Sequence, residues 1–186
     1  MRNAIMEERR PRPLDGEALW TYALKLLGAQ ARSTGEMREK LLRRAERSID
    51  VETAIARLKD AGYLDDHRFA EAFASARLAN DKLGRAKVIQ DLRQRRIAPA
   101  LAAETVRAVY EGVADQALIE AWIRHKYAKA PREGLFASQK DMASAYRRMQ
   151  QAGFPSGEIL RALKRFAKNP DLLDGFEPAP ELAPED

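Results

Sequence analysis

The stretch LDDHRF at residues 64–69 places Asp65 directly after Leu64 and four residues before Phe69. An aspartate at a helix N-cap accepts a hydrogen bond from an unpaired backbone N–H. The flanking apolar residues can pack together across it as a hydrophobic staple. The same arrangement recurs at Asp15 and Asp115, which lie 50 residues before and after Asp65. This period predicts an array of similar helical units that cover one another's apolar faces.

Capping and turn signals between these aspartates divide each unit into three helices. Ser33, followed three residues later by a glutamate, has the form of a capping box, and Asp50 opens a third helix that Gly62 ends. Pro99 and Ser138 have the residue types that begin helices in the later units. No segment alternates apolar and polar residues over the length of a convincing strand.

We therefore predict an all-α fold of nine helices in three tandem three-helix repeats. The predicted repeats occupy residues 14–64, 65–114 and 115–168. An arm rich in arginine and proline precedes them at 1–13, and an acidic, proline-rich tail follows at 169–186. We expect the arm to be disordered and the tail to be flexible.

Charge is segregated along the chain. Lysine and arginine number 33 against 28 acidic residues, which gives a net charge of +5. The tail at 169–186 holds six acids and no base, so residues 1–168 carry +5 − (−6) = +11. A basic body of this kind indicates a polyanion or an acidic protein surface as partner. The alternative is the solvated surface of an ordinary helical protein, and charge alone leaves both open.

Few residues could support catalysis. The chain has no cysteine, which excludes disulfides and thiolate metal sites. His67 follows two acids, but helix capping accounts for those acids better than a metal does. His125 lies in a basic segment without a serine or an acid at a useful spacing, and no phosphate-binding loop or nucleophile motif occurs. We predict no enzymatic activity, no metal and no cofactor.

The chain has no feature of an exported or membrane protein. The N-terminus turns acidic at Glu7 before an apolar signal core could form. No apolar run approaches the roughly 18 residues that a membrane helix needs. We therefore expect a soluble cytoplasmic protein without a membrane partner.

Basic side chains are concentrated in the second and third repeats, and we predict that these basic faces bind the partner. Such clusters suit contacts to phosphates or to an acidic groove. An amphipathic helix with an arginine-rich solvent face is the alternative. The predicted set is Lys82, Arg85, Lys87, Arg93, Arg95, Arg96, Arg124, Lys126, Arg147, Arg148, Arg161, Lys164 and Arg165.

Three stretches resemble the RecX family, bacterial regulators of the recombinase RecA. The junction GYLDDHRFA at 62–70 resembles the hallmark of that family, and LGRAKVIQDL at 83–92 resembles its Gly-basic-Ile-Gln-acidic-Leu segment. ALKLL at 23–27 resembles part of its first unit, and the likeness extends over about residues 20–166. The structural motif predicted at the junction comprises Gly62, Tyr63, Leu64, Asp65, Asp66, Arg68 and Phe69.

This resemblance implies an elongated, curved array of repeats that docks in the groove of the filament formed by RecA on single-stranded DNA. It implies inhibition of filament extension, of the RecA ATPase, of strand exchange and of co-protease activity, which belong to DNA repair and the SOS response. No cofactor is implied. We expect a monomer whose partners are RecA and its DNA filament, with direct DNA contacts also open.

The alternative function is direct DNA binding, because three-helix units with glycine or proline turns are also typical of helix-turn-helix modules. A sequence-specific reader would concentrate arginine, asparagine or glutamine at the start of one recognition helix. Here the basic residues are spread over several helices, which favours diffuse contacts to a backbone.

Overall fold

The computed structural model describes residues 12–129, 134–169 and 171, and this part of the chain is all-α, as predicted. Its only β contacts are two isolated bridges. The nine predicted helices are all present in the described part. They are α1 (Gly16–Ala29), α2 (Thr34–Leu42), α3 (Ser48–Asp60), α4 (Asp66–Ala76), α5 (Arg85–Gln94), α6 (Pro99–Val109), α7 (Asp115–Lys126), α8 (Gln139–Gln151) and α9 (Ser156–Phe166).

Two of the three predicted aspartate caps are confirmed. Asp15 accepts the backbone N–H of Ala18 at 2.9 Å, and Asp65 accepts that of Arg68 at 3.0 Å. The predicted capping box at the start of α2 is also confirmed, because Ser33 and the glutamate three residues later bond to each other's backbone. These caps depend on contacts within one turn of helix, and the sequence therefore predicts them well.

The third predicted cap is wrong. The N-cap of α7 is Ala114, which makes no side-chain capping bond, and Asp115 is the first residue of the helix. The carboxylate of Asp115 instead accepts a hydrogen bond from the guanidinium group of Arg85, at the start of α5. A charged donor competes better for a carboxylate than a neutral backbone N–H.

Helix α3 begins earlier than predicted, at Ser48, and Asp50 lies inside its first turn. The guanidinium of Arg47, the residue before the helix, binds the Asp50 carboxylate at 2.8 and 3.0 Å. Gly62 ends the turn after α3 as predicted, with a φ of +71° that favours glycine. The predicted proline start of α6 and serine cap of α8 are both confirmed.

The described residues divide into two compact units. The first contains residues up to Phe69 together with Arg95–Ile97, and the second contains Ala70–Gln94 and the residues from Ala98 onward. In the first unit α1, α2 and α3 pack against one another around fully buried Leu19 and Leu41. The predicted partition into three repeats, and the curved array that it implied, stay predictions.

The second unit contains two groups of packed helices, α5 against α6 and α9 against α7 and α8. Gly84, just before α5, donates its N–H to the carbonyl of Ala152 at 2.8 Å. A Cβ on Gly84 would lie 2.2 Å from the carbonyl oxygen of Gly153, so only glycine permits this approach. The start of α5 is therefore fixed against the turn between α8 and α9.

Helix α4 continues into a π-helical turn, Arg77–Asp81, that the sequence does not predict. The turn ends at Lys82, whose φ of +56° is unusual for a residue with a side chain. An ion pair of 2.7 Å between Arg77 and Asp81 spans the turn. Single π-helical turns of this kind often mark functional segments.

The terminal predictions fall largely outside the described residues. Of the arm at 1–13 the structure describes Arg12 and Pro13, and of the tail at 169–186 it describes Asn169 and Asp171. Among the described helices, none combines the length and the apolar character that crossing a membrane requires.

Candidate polyanion-binding surface

The junction at 62–69 connects three helices through polar side chains. Asp65 caps α4, and the neighbouring Asp66 accepts the backbone N–H of Thr34, the first residue of α2, at 2.7 Å. Arg68 donates to the carbonyl of Gly62 at 2.7 Å, which bridges α4 and the turn after α3. Backbone N–H groups, chiefly that of Arg68, lower the pKa of Asp65. The side chains of Asp65, Asp66 and Arg68 therefore serve the fold.

The apolar residues of the junction differ in burial. Leu64 is buried in the core of the first unit. Phe69 is only half-buried. Tyr63 is 54% exposed and is one of the large apolar side chains that the structure leaves facing solvent. Tyr63 is thus the most accessible of the apolar residues of the junction.

Arg85, which we predict to bind the partner, has several contacts within the protein. Its guanidinium donates to the carbonyls of Val113 at 2.7 Å and Tyr110 at 3.1 Å, and it pairs with Asp115. Arg85 therefore connects the start of α5 to the end of α6 and the start of α7. Burial raises the pKa of Tyr110 to about 12, and the phenol donates to the carbonyl of Leu83 at 2.9 Å.

The other basic residues around α5 differ in whether they form hydrogen bonds or ion pairs within the protein. Lys82 donates to the carbonyl of Ala79 at 2.5 Å, and Lys87 pairs with Asp91 one turn along α5 at 2.8 Å. Arg93 is exposed and forms no ion pair with any described residue. Within the part of the chain that the structure describes, no acid neutralises Arg93.

Arg95 and Arg96 belong to the first unit and pair with acids of α2. Arg95 lies 3.3 Å from Glu36, and its carbonyl accepts the hydroxyl of Ser33. Arg96 lies 3.5 Å from Glu39 and has a φ of +62°. Both arginines thus contribute to the packing of the 95–97 segment on α2.

A cluster of charges connects α7 and α9. Glu120 on α7 contacts Arg124, one turn along the same helix, at 3.5 Å, and it also pairs with Arg165 on α9. Arg161, one turn before Arg165, pairs with Glu158 of its own helix. The spacing of Glu120 and Arg124 on one helix is a local pattern, but the sequence gives no sign of Arg165, which is 45 residues away.

Five predicted cations are exposed and have no hydrogen bond or ion pair with another described residue. Exposed guanidinium and ammonium groups that are not neutralised by the protein are the donors that phosphates require. They are Arg93, Lys126, Arg147, Arg148 and Lys164. The structure thus divides the predicted set into residues that pair within the fold and residues that have no partner among the described residues.

An open cleft in the first unit, of about 330 Å³, was not predicted. Its lining includes Trp20, Asp50 and Arg57. The guanidinium of Arg57 lies 4.0 Å from the centre of the Trp20 ring and 3.6 Å from Glu17. Across residues 12–129, 134–169 and 171, no three histidine or acidic side chains are placed to hold a metal ion.

Comparison with known proteins relates the chain to one family. Residues 20–58 match the sequence profile of the first three-helix domain of RecX, and 65–106 match that of the second. Regulatory protein RecX of Pelodictyon phaeoclathratiforme is 31% identical over 150 residues, which cover 77% of this chain and 86% of that protein. The counterpart in Thermus thermophilus is 32% identical over 151 residues, which cover 80% and 92%.

Solved structures support the same fold. The crystal structure of RecX from Lactobacillus salivarius superposes with a TM-score of 0.59 over 81% of this chain and 96% of that one, at 16% identity. A second crystal structure of regulatory protein RecX gives a TM-score of 0.59 at 17% identity. Because the relatives above exceed 30% identity over most of their length, the chain belongs to the RecX family of regulatory proteins.

Proposed function

We propose that this protein binds the filament of RecA on single-stranded DNA and inhibits filament extension, and with it the RecA ATPase, strand exchange and co-protease activity. The observation that carries this proposal is the family relationship, in which relatives 31–32% identical over most of their length are named regulatory protein RecX. The partner RecA follows from the resemblance of the junction and of the 83–92 segment to that family.

The proposed mechanism is binding without catalysis. The five exposed cations without a partner among the described residues, on α5, α7, α8 and α9, would contact the phosphates or acidic side chains of the filament. A ligand that binds the filament end or groove opposes further addition of subunits, and it needs no cofactor to do so. We propose that the protein acts as a monomer in the cytoplasm.

The direct test is a titration of the RecA ATPase on single-stranded DNA with this protein at substoichiometric amounts. We expect the steady-state rate to fall well before one molecule per RecA subunit has been added, because one bound molecule blocks many later additions. An unchanged rate would contradict the proposal. An unchanged rate together with tight binding to one duplex sequence would favour the alternative, a helix-turn-helix-like DNA-binding protein.

The surface is tested by reversing charges that the fold does not use. We expect Arg147→Glu with Arg148→Glu on α8 to weaken inhibition about tenfold or more, since two attractive contacts become repulsive. Arg107→Glu on α6 is the control, because Arg107 is an exposed cation outside the predicted set. Circular dichroism should show unchanged helicity in both variants. Equal inhibition by both variants would remove α8 from the interface.

A further inference from the structure

Glu120 is the only acid among the described residues that is buried as a whole residue, at 8% exposure, and its side chain is 11% exposed. One carboxylate oxygen of Glu120 accepts a hydrogen bond from the guanidinium group of Arg165 and lies 3.5 Å from the amide nitrogen of Gln116. The other oxygen lies 3.5 Å from a guanidinium nitrogen of Arg124. A nearly buried carboxylate is costly unless its oxygens are paired. Glu120 meets this requirement with partners from two helices.

The two arginines remain accessible despite this shared partner. The side chains of Arg124 and Arg165 are 57% and 66% exposed. A guanidinium group has five N–H donors, and Glu120 engages a minority of them. Each arginine therefore presents unused donors to solvent from a position that the carboxylate restrains.

The charge of this group exceeds what a contact between α7 and α9 requires. One arginine would neutralise Glu120, whereas two leave a net charge of 2 − 1 = +1. Arg161 lies one turn before Arg165 on α9 and has its own acid, Glu158. Each guanidinium group has the planar set of donors with which arginine recognises phosphates.

We infer that Glu120 is a positioning residue, which holds Arg124 and Arg165 beside each other so that their outward N–H groups bind neighbouring phosphodiesters of single-stranded DNA. This inference rests on the proposed function for the choice of single-stranded DNA. Its test omits RecA, so that either proposal can fail while the other survives.

The sign of one substitution distinguishes positioning from simple charge. An acid that merely dilutes positive charge should raise the affinity for a polyanion when it is neutralised. A positioning acid should lower that affinity, because its arginines lose their orientation. We therefore expect Glu120→Gln to weaken binding of an oligothymidylate by about three- to tenfold at low salt. Glu158→Gln is the matched control, and we expect equal or tighter binding from it, because Glu158 restrains only Arg161 of its own helix.

The salt dependence gives a readout that a merely structural role would not change. Binding to single strands weakens with salt by a slope of about 0.7 for each phosphate contact. We expect Arg124→Ala with Arg165→Ala to reduce that slope by about 1.4, and Glu120→Gln to reduce it by about 0.7 or more. In the double-alanine background, Glu120→Gln should no longer weaken binding, since no arginine remains to be positioned.

Several results would overturn the inference. Glu120→Gln would do so if it bound oligothymidylate as tightly as the wild type or tighter, with an unchanged salt slope. The inference would also fail if Glu120→Gln weakened binding in the double-alanine background as much as it does in the wild type. If circular dichroism shows that Glu120→Gln does not fold, the double-alanine variant tests whether Arg124 and Arg165 contact DNA. A folded double-alanine variant with wild-type affinity and slope would then exclude these arginines from the DNA contact.

Discussion

Helices α4 and α7 begin with the same pattern, an aspartate between apolar residues, but the two aspartates have different partners. Asp65 accepts the backbone N–H of Arg68 and caps its own helix. Asp115 lies inside its helix and pairs with Arg85, 30 residues earlier. The hydrogen bond of Asp65 is thus local to α4, whereas the ion pair of Asp115 depends on the placement of α5. A motif's neighbours in space decide which hydrogen bond its carboxylate makes.

The largest effect is expected where α5 is positioned. Gly84→Ala would place a Cβ 2.2 Å from the carbonyl oxygen of Gly153 and displace the start of α5, and with it Arg85. We expect a loss of about 3 kcal/mol in the free energy of unfolding, measured by urea denaturation. The control is Gly28→Ala in α1, where a Cβ meets nothing within 4 Å. The control should be neutral or slightly stabilising, and equal losses in both variants would contradict the close approach at Gly84.

Removal of Arg85 itself should have the next largest effect. Arg85→Ala leaves the carbonyls of Tyr110 and Val113 without their donor and Asp115 without its ion pair. Because the arginine is 35% exposed, water replaces part of these contacts, and we expect a loss of about 2 kcal/mol in urea denaturation. Arg93→Ala on the same helix lacks such partners and should change stability by less than about 0.5 kcal/mol. Similar losses in the two variants would mean that Arg85 does not connect the helices.

Asparagine substitutions separate a cap from an ion pair. Asparagine caps helices about as well as aspartate, so Asp65→Asn should change the folding equilibrium by less than about twofold. Asp115→Asn removes the charge that attracts Arg85 and should lower the equilibrium constant about fivefold. Thermal and urea denaturation of both variants measure the difference. The comparison between α4 and α7 fails if Asp65→Asn is the more damaging change.

The sequence predicts the parts of this molecule that depend on near neighbours. The caps at Asp15 and Asp65 and the end of α3 at Gly62 follow from residues within one or two turns. The roles of Arg85 and Glu120 do not follow from spacing. Each has partners on helices that only the folded chain brings near.

Composition likewise identifies basic residues as candidates without ranking them. It cannot separate Arg93, which is exposed and unpaired among the described residues, from Arg95 and Arg96, which pair with acids of α2. The π-helical turn before Lys82 also escapes prediction, because its backbone conformation carries no residue signature of the kind that glycine or proline provides. Tertiary contacts decide these features, and a single sequence does not contain them as local patterns.

The smallest effect concerns pH at the start of α4. The backbone N–H of Arg68 lowers the pKa of Asp65, so the ionised carboxylate is favoured in the folded protein. The contribution of the ionised Asp65 carboxylate to folding stability is therefore fully present above its pKa in the unfolded chain, about 3.9. This contribution is lost as pH falls through the lower pKa of Asp65 in the folded protein. The stability difference between the wild type and Asp65→Ala should be constant from pH 7 to 5 and shrink below about pH 4. Asp65→Asn retains a cap that does not titrate, and its advantage over Asp65→Ala should persist at low pH. A difference between wild type and Asp65→Ala that stays constant down to pH 2 would show that the carboxylate charge does not contribute to the cap.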